Sequence, residues 1–235
     1  MSVKYLSAIM AATLAASSSV WADVVINTTR VVYKESAKEV NVRLTNEGKR
    51  PLLVQSWLDD GRATESPENI DLPFMISPPV SRIDAKKGQT LRISKMDASL
   101  PKDRESIYYL NVLEVPPKAK DQNAGNNKLQ LAFRTRIKMF YRPTALTVKP
   151  QDAAGKVEWR AENGALVAKN NSPYYLTFNM MKVGNNGAKS GMVAPFATET
   201  FAFDNKAFKP SAGASLTYSY ISDYGNDVEG TAVIK

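Results

Sequence analysis

Apolar and polar residues alternate with period two along much of this chain, most clearly in Asn127 to Pro143, NKLQLAFRTRIKMFYRP. Successive side chains of an extended strand point to opposite faces. Leu129, Leu131, Phe133, Thr135 and Ile137 therefore share one face, and Gln130, Ala132, Arg134, Arg136 and Lys138 the other. Three cations on one face would lose their water inside a buried sheet, so the segment reads as an edge strand. From Met139 to Tyr141 the alternation gives way to an apolar run ending at Arg142 and Pro143, the pattern of a strand sinking into a core before a domain boundary. For the first half the plain alternative is that Leu129, Leu131 and Phe133 face this chain's own core. The other reading is an edge armed for pairing, where proteins usually place charge or proline as a defence.

Short β-type runs fill the rest. Val24 to Ile26, Arg30 to Tyr33, Val40 to Leu44, Leu52 to Leu58, Thr90 to Ile93 and Ile107 to Val115 precede the opening stretch; Val157 to Arg160, Leu166 to Lys169, Tyr174 to Met181, Thr198 to Phe203, Ser215 to Ile221 and Val228 to Ile234 follow it. Turn residues separate them, and no amphipathic helical window competes. The spacing predicts an all-β chain of two immunoglobulin-like β-sandwich domains, residues 23–143 and 144–235. Between Val115 and Leu129 a polar, Gly/Asn-rich stretch opened by Pro116 and Pro117 is expected to be a mobile loop. Pro78 and Pro79 stop a strand, and either bond is a candidate for the cis form.

Met1 to Ala22 carries one lysine, an Ala-rich apolar run and small residues at its end, the layout of a secretory leader cleaved after Ala22. The run is short and broken by three serines, which disfavours a membrane anchor. Export to a bacterial periplasm is the resulting expectation. The chain has no cysteine and no histidine. Stability must then come from buried cores, and Ser-His-Asp, Cys-His and ordinary zinc chemistry are excluded. The remaining enzymatic option is a carboxylate pair, for which Asp59 and Asp60 are the obvious candidates; adjacent and followed by Gly61, they point apart and are expected to mark a solvated turn. No metal site, cofactor or small-molecule substrate is indicated. From Asp23 to Pro143 there are 21 Lys and Arg against 15 Asp and Glu; from Thr144 onward the counts are 9 and 8. The basic excess thus sits in the first domain. Export and the lack of interleaved exposed aromatics argue against nucleic acid and for an anionic group on a protein partner.

Thr29-Arg30, PLLVQSW, SPPVSRID, LPKDRESIYYLNVLEVPPK, KLQLAFRTRIKMFYRP and YISDYGN occur in that order. Together they resemble the PapD-like periplasmic chaperones of the chaperone-usher pilus pathway, along the whole mature chain. The resemblance implies a cleft between the two domains. It also implies that Arg30 and Lys138 grip the C-terminal carboxylate of a pilus subunit there, as charge-assisted hydrogen bonding requires. Leu129, Leu131 and Phe133 would fill the groove of a subunit that lacks its last strand, by donor-strand complementation. Glu105, Arg142 and Asp223 would form an interdomain charge triad that fixes the domain angle.

Alternation puts Lys138 on the face opposite Leu129 and Phe133, so an irregularity or marked twist is expected between Phe133 and Lys138; a flat, regular ladder would count against giving both to one subunit. Phe133 is bulkier than the aliphatic residue expected there, and the loop after Val115 suits the short-loop branch of the family. The function implied is a non-enzymatic periplasmic chaperone that captures pilus or fimbrial subunits and delivers them to an outer-membrane usher, with a self-capping homodimer as a further option for the free protein. A secreted adhesin or structural pilus component, and a carbohydrate-active enzyme, are the alternatives from other classes.

Overall fold

The computed structural model describes residues 23–117 and 131–235. The expected leader, most of the loop after Val115 and the donor position Leu129 lie outside the described residues.

The first half folds as nine strands: β1 (Val24–Ile26), β2 (Arg30–Lys34), β3 (Glu39–Asn46), β4 (Leu52–Asp59), β5 (Phe74–Ser77), β6 (Val80–Ile83), β7 (Gly88–Lys95), β8 (Ser106–Val115) and β9 (Phe133–Arg142). They form a four-stranded sheet, β1-β3-β7-β5, and a five-stranded one, β2-β9-β8-β4-β6. Alternation decides what lies between the sheets. Val42 and Leu44 of β3, Leu91 and Ile93 of β7, Leu110 and Val112 of β8, and Met139 and Tyr141 of β9 are all buried in one core. The second half contributes β10 (Val157–Glu162), β11 (Ala165–Asn170), β12 (Leu176–Val183), β13 (Asn186–Ala188), β14 (Gly191–Val193), β15 (Thr198–Phe201), β16 (Ser215–Ile221) and β17 (Asp227–Val233). Its sheets, β10-β11-β15 and β13-β12-β16-β17 with β14 also on β12, enclose a second core. There Trp159 meets Phe178 edge-on at 5.0 Å. The fold is the expected pair of immunoglobulin-like sandwiches.

Every predicted strand is present to within a few residues, and four others are not foreseen. β5, β6, β13 and β14 are three or four residues long, too short for alternation to register. β5 and β6 lie in opposite sheets, and the chain crosses between them at Pro78 and Pro79 with the Ser77–Pro78 bond cis.

β9 does occupy two settings. It pairs antiparallel with β8 along its length, from Phe133 opposite Glu114 to Tyr141 opposite Ser106. On its other side it pairs parallel with β2, but only from Lys138 opposite Arg30 to Arg142 opposite Lys34. Phe133 to Ile137 therefore present a free edge among the described residues.

The expected irregularity is absent: each step along β9 advances one step along β8 from Phe133 to Tyr141. The register shift in this molecule lies instead in the second domain, between Phe178 and Met180. Lys138 therefore stays on the face opposite Phe133, which counts against one subunit meeting both through a single face. Ile137, Met139 and Tyr141 meet the first domain's interior, while Phe133 on the same face lies beyond it, 39% exposed. Leu131 is 53% exposed, so for these two residues the own-core alternative fails.

Candidate functional site

The opposite face of β9 carries Arg134, Arg136, Lys138, Phe140 and Arg142, and the second domain covers its lower end. Lys138 Nζ donates to Thr177 Oγ1 of β12 at 3.3 Å. Arg30, its register partner on β2, donates from its guanidinium to the carbonyl of Ile221 at 2.9 Å, across the domain boundary. Arg30 is only 7% exposed, and its Nε has no hydrogen-bond partner. Among the described residues neither cation has a carboxylate within ion-pair distance. Burial pushes the pKa of Arg30 down, with Asp223 and Glu105 partly opposing it. Burial likewise lowers Lys138, and the neighbouring Arg30 adds to that. Two adjacent, partly desolvated cations form a place where an incoming anion is stabilised. A cavity of about 350 Å³ lies beside Arg30 between the domains, lined also by Phe140, Arg142, Tyr175, Tyr220 and Asp223; Lys138 is not part of its wall.

Glu105, Arg142 and Asp223, which the family resemblance groups together, are in contact. Arg142 Nε donates to Glu105 Oε1 at 2.7 Å, and its two terminal nitrogens donate to the two oxygens of Asp223 at 2.6 and 2.8 Å. The other Glu105 oxygen accepts the Tyr175 N–H at 2.9 Å. Burial drives the Glu105 pKa up, although Arg142 and the Tyr175 amide work against it. The Glu105 N–H also donates to the Pro173 carbonyl at 2.9 Å, so backbone and side chain cross the boundary at one point.

Asp59 is a correction. It is fully buried rather than part of a solvated turn, while Asp60 stays near the surface on Arg62. The two do point apart. What draws Asp59 inward is the basic face of β9: Arg136 Nε donates to Asp59 Oδ2 at 2.8 Å, and Asn111 of β8 donates to the same oxygen at 2.8 Å. Asn111 Oδ1 in turn accepts from Arg134 at 2.7 and 2.9 Å. Arg134 lies over Trp57 and Arg136 over Tyr109. These arginines are thus tied to the sheet and not simply solvated. The signal available in sequence was that two arginines on one strand face call for a buried anion nearby.

Burial alone would raise the Asp59 pKa, but bonds from Arg136, Asn111 and the Gly61 N–H outweigh it and hold it at about 2, below its ordinary 3.8. A depressed carboxylate contributes stability above its unfolded pKa and loses it as pH falls through the folded value. The unfolding free-energy gap between wild type and Asp59→Asn should therefore narrow by about 2 kcal/mol between about pH 5 and about pH 2. Urea titrations at several pH values measure this, and parallel profiles would rule the carboxylate out as the acid-sensitive group.

A chain of two immunoglobulin-like sandwiches joined by a charge network, with Arg30 and Lys138 side by side at the domain boundary, is the class this arrangement defines. Residues 23–147 match the family described as pili and flagellar-assembly chaperone, PapD N-terminal domain, and residues 152–232 match the pili assembly chaperone PapD, C-terminal domain. The chain belongs to the PapD-like pilus-assembly chaperones, a family without enzymatic activity. It is 46% identical over 229 residues to the probable fimbrial chaperone YadV of Escherichia coli strain K12, covering 93% of both chains. The YadV crystal structure superposes with a TM-score of 0.78 at 42% identity, covering 91% of this chain and all of the other. A Salmonella enterica SafB chaperone, solved in complex with the SafA pilin, gives a TM-score of 0.78 at 26% identity, covering 92% of this chain and 99% of the other.

Proposed function

We propose that this chain captures pilus subunits in the periplasm, after removal of its leader, by donor-strand complementation. It lends them the free edge of β9 and hands them to an outer-membrane usher. The observation that carries the reading is the continuity of β9. The strand that begins as an unpaired edge with exposed Leu131 and Phe133 ends between Arg30 and the second domain, with Lys138 beside it. A subunit strand added along Phe133 to Ile137 would run toward the two cations, where its C-terminal carboxylate would replace the water they have lost. Leu129, Leu131 and Phe133 would enter the subunit groove. Because β9 is regular, its apolar row and its anchor lie on opposite faces, and the added strand must meet them through the shared edge.

The register matters because slipping one residue would turn the apolar row away from the groove. Glu105, Arg142 and Asp223 would hold the two domains at the angle that keeps the anchor open. A free edge of this kind also suits capping by a second copy when no subunit is bound.

The test is periplasmic co-expression with a pilus subunit encoded beside this chain, followed by size-exclusion chromatography. Wild type is expected to give a one-to-one complex and Lys138→Ala to lose it while remaining folded alone. Equal capture by the variant would remove the carboxylate anchor from the reading, and a subunit soluble without this chain would remove the chaperone role for that subunit.

A further inference from the structure

Glu114 is a buried carboxylate that subunit capture does not use. It lies near the end of β8, opposite Phe133 of β9 and Val54 of β4, and is 4% exposed. One of its oxygens, Oε2, accepts the N–H of Asp23 at 3.1 Å. The other, Oε1, is buried and has no hydrogen-bond partner. Among the described residues no Lys or Arg lies within ion-pair distance of Glu114; burial pushes its pKa up, the Val24 and Asp23 N–H groups oppose that, and the like-charged Asp23 carboxylate adds to it. A buried carboxylate with an unbonded oxygen beside a second carboxylate is an unbalanced arrangement. It lacks a cation.

Asp23 is held in place from two other directions. Its carbonyl accepts the Glu47 N–H at 2.7 Å, and its side chain packs so closely on Gly48 that a Cβ there would stand 2.5 Å from the Asp23 carboxyl carbon. The Asp23 nitrogen is therefore held at the start of β1, against Glu114 of β8.

We propose that Glu114 is a docking site for the chain's own processed N-terminus. Hydrolysis of the Ala22–Asp23 peptide bond by a leader peptidase adds one water, leaving a carboxylate on Ala22 and an ammonium on Asp23. That ammonium offers three donors where the amide offered one. It meets the Oε2 it already touches and brings the missing positive charge to the unpaired Oε1, making a charge-assisted contact. Processing thereby fastens the first strand of one sheet to the last residues of β8, where β9 leaves the sandwich as a free edge. The proposal rests on leader removal after Ala22.

The intact mass of protein purified from the periplasm comes first, and a start at any residue other than Asp23 overturns both that reading and this proposal. With the start at Asp23, the α-amine is labelled by reductive ¹³C-methylation, which keeps its charge, and titrated by NMR. Wild type is expected to show a pKa about one unit or more above the ordinary 7.7–8.0, a tenfold gain in proton affinity, and Glu114→Gln to return it to that range. In parallel, a chain carrying two extra residues ahead of Asp23 should melt about 3–6 °C lower than the mature chain. The same extension should have little effect in the Glu114→Gln background. An α-amine with an ordinary pKa in wild type, or an extension without effect on melting, overturns the docking site and leaves the processing site standing. Should Glu114→Gln fail to fold, the wild-type titration and the extension decide alone.

Discussion

Arg142→Ala is expected to destabilise the chain by about 3–5 kcal/mol, because it removes the only ion-pair partner that a buried carboxylate, Glu105, has among the described residues. Glu105 is 3% exposed, and without Arg142 its charge would be held by the Tyr175 amide alone. Burial works to lower the Arg142 pKa, yet its hydrogen bonds to Asp223 and the nearby Glu105 charge raise it above its ordinary value, so the guanidinium is firmly charged in the folded protein. The loss has a geometric part too, since Arg142 ends β9 just before Pro143 and reaches Asp223 in the second domain. The expected results are a lower urea midpoint, a larger radius in solution scattering and a lower yield of captured subunit. Arg142→Lys, which keeps the charge but cannot fork onto both Asp223 oxygens, should fall between. Unchanged scattering and yield in Arg142→Ala would deny the triad its role at the joint.

The second large effect concerns binding with the fold left intact. Leu131→Ser together with Phe133→Ser should weaken subunit capture by roughly 10²- to 10⁴-fold. Each apolar side chain transferred into a groove is worth about 1.5–3 kcal/mol, and the entropy of association is common to variant and wild type. Both residues are exposed in the free chain, so its melting temperature should stay within about 2 °C of wild type. A matched fall in stability would mean that the two side chains serve this protein's own packing. Unchanged capture would mean that the groove is filled by other residues.

The architecture was legible in the sequence because both domains are built from half-buried strands, where period-two alternation is strongest. Val40, Val42 and Leu44 announce β3, and the switch from alternation to an apolar run at Met139 announces the change in setting of β9. β5, β6, β13 and β14 were hidden because three or four residues flanked by Pro or Gly carry no periodic signal. The Glu105, Arg142 and Asp223 contacts were legible only through resemblance, since nothing in local sequence brings residues 81 positions apart into one network. Asp59 was misread for the opposite reason. Its neighbours Asp60 and Gly61 look like a turn, and they are one, but the buried charge answers to Arg136, which lies 77 positions downstream. The irregularity expected between Phe133 and Lys138 is absent from the β8 ladder, because period-two alternation places a residue on a face and carries no signal for where a strand bulges.

The unequal partners of β9 also give this strand a direction of weakness. A load drawn along its axis is shared by the whole ladder to β8 and the parallel ladder to β2, so many hydrogen bonds must shear together. A strand added beside Phe133 to Ile137 has no such support on its far side and can be peeled from its outer end one bond at a time. The same strand is thus mechanically stiff toward its own domain and would be unzippable toward any strand added at its free edge, a difference set by where β2 stops pairing.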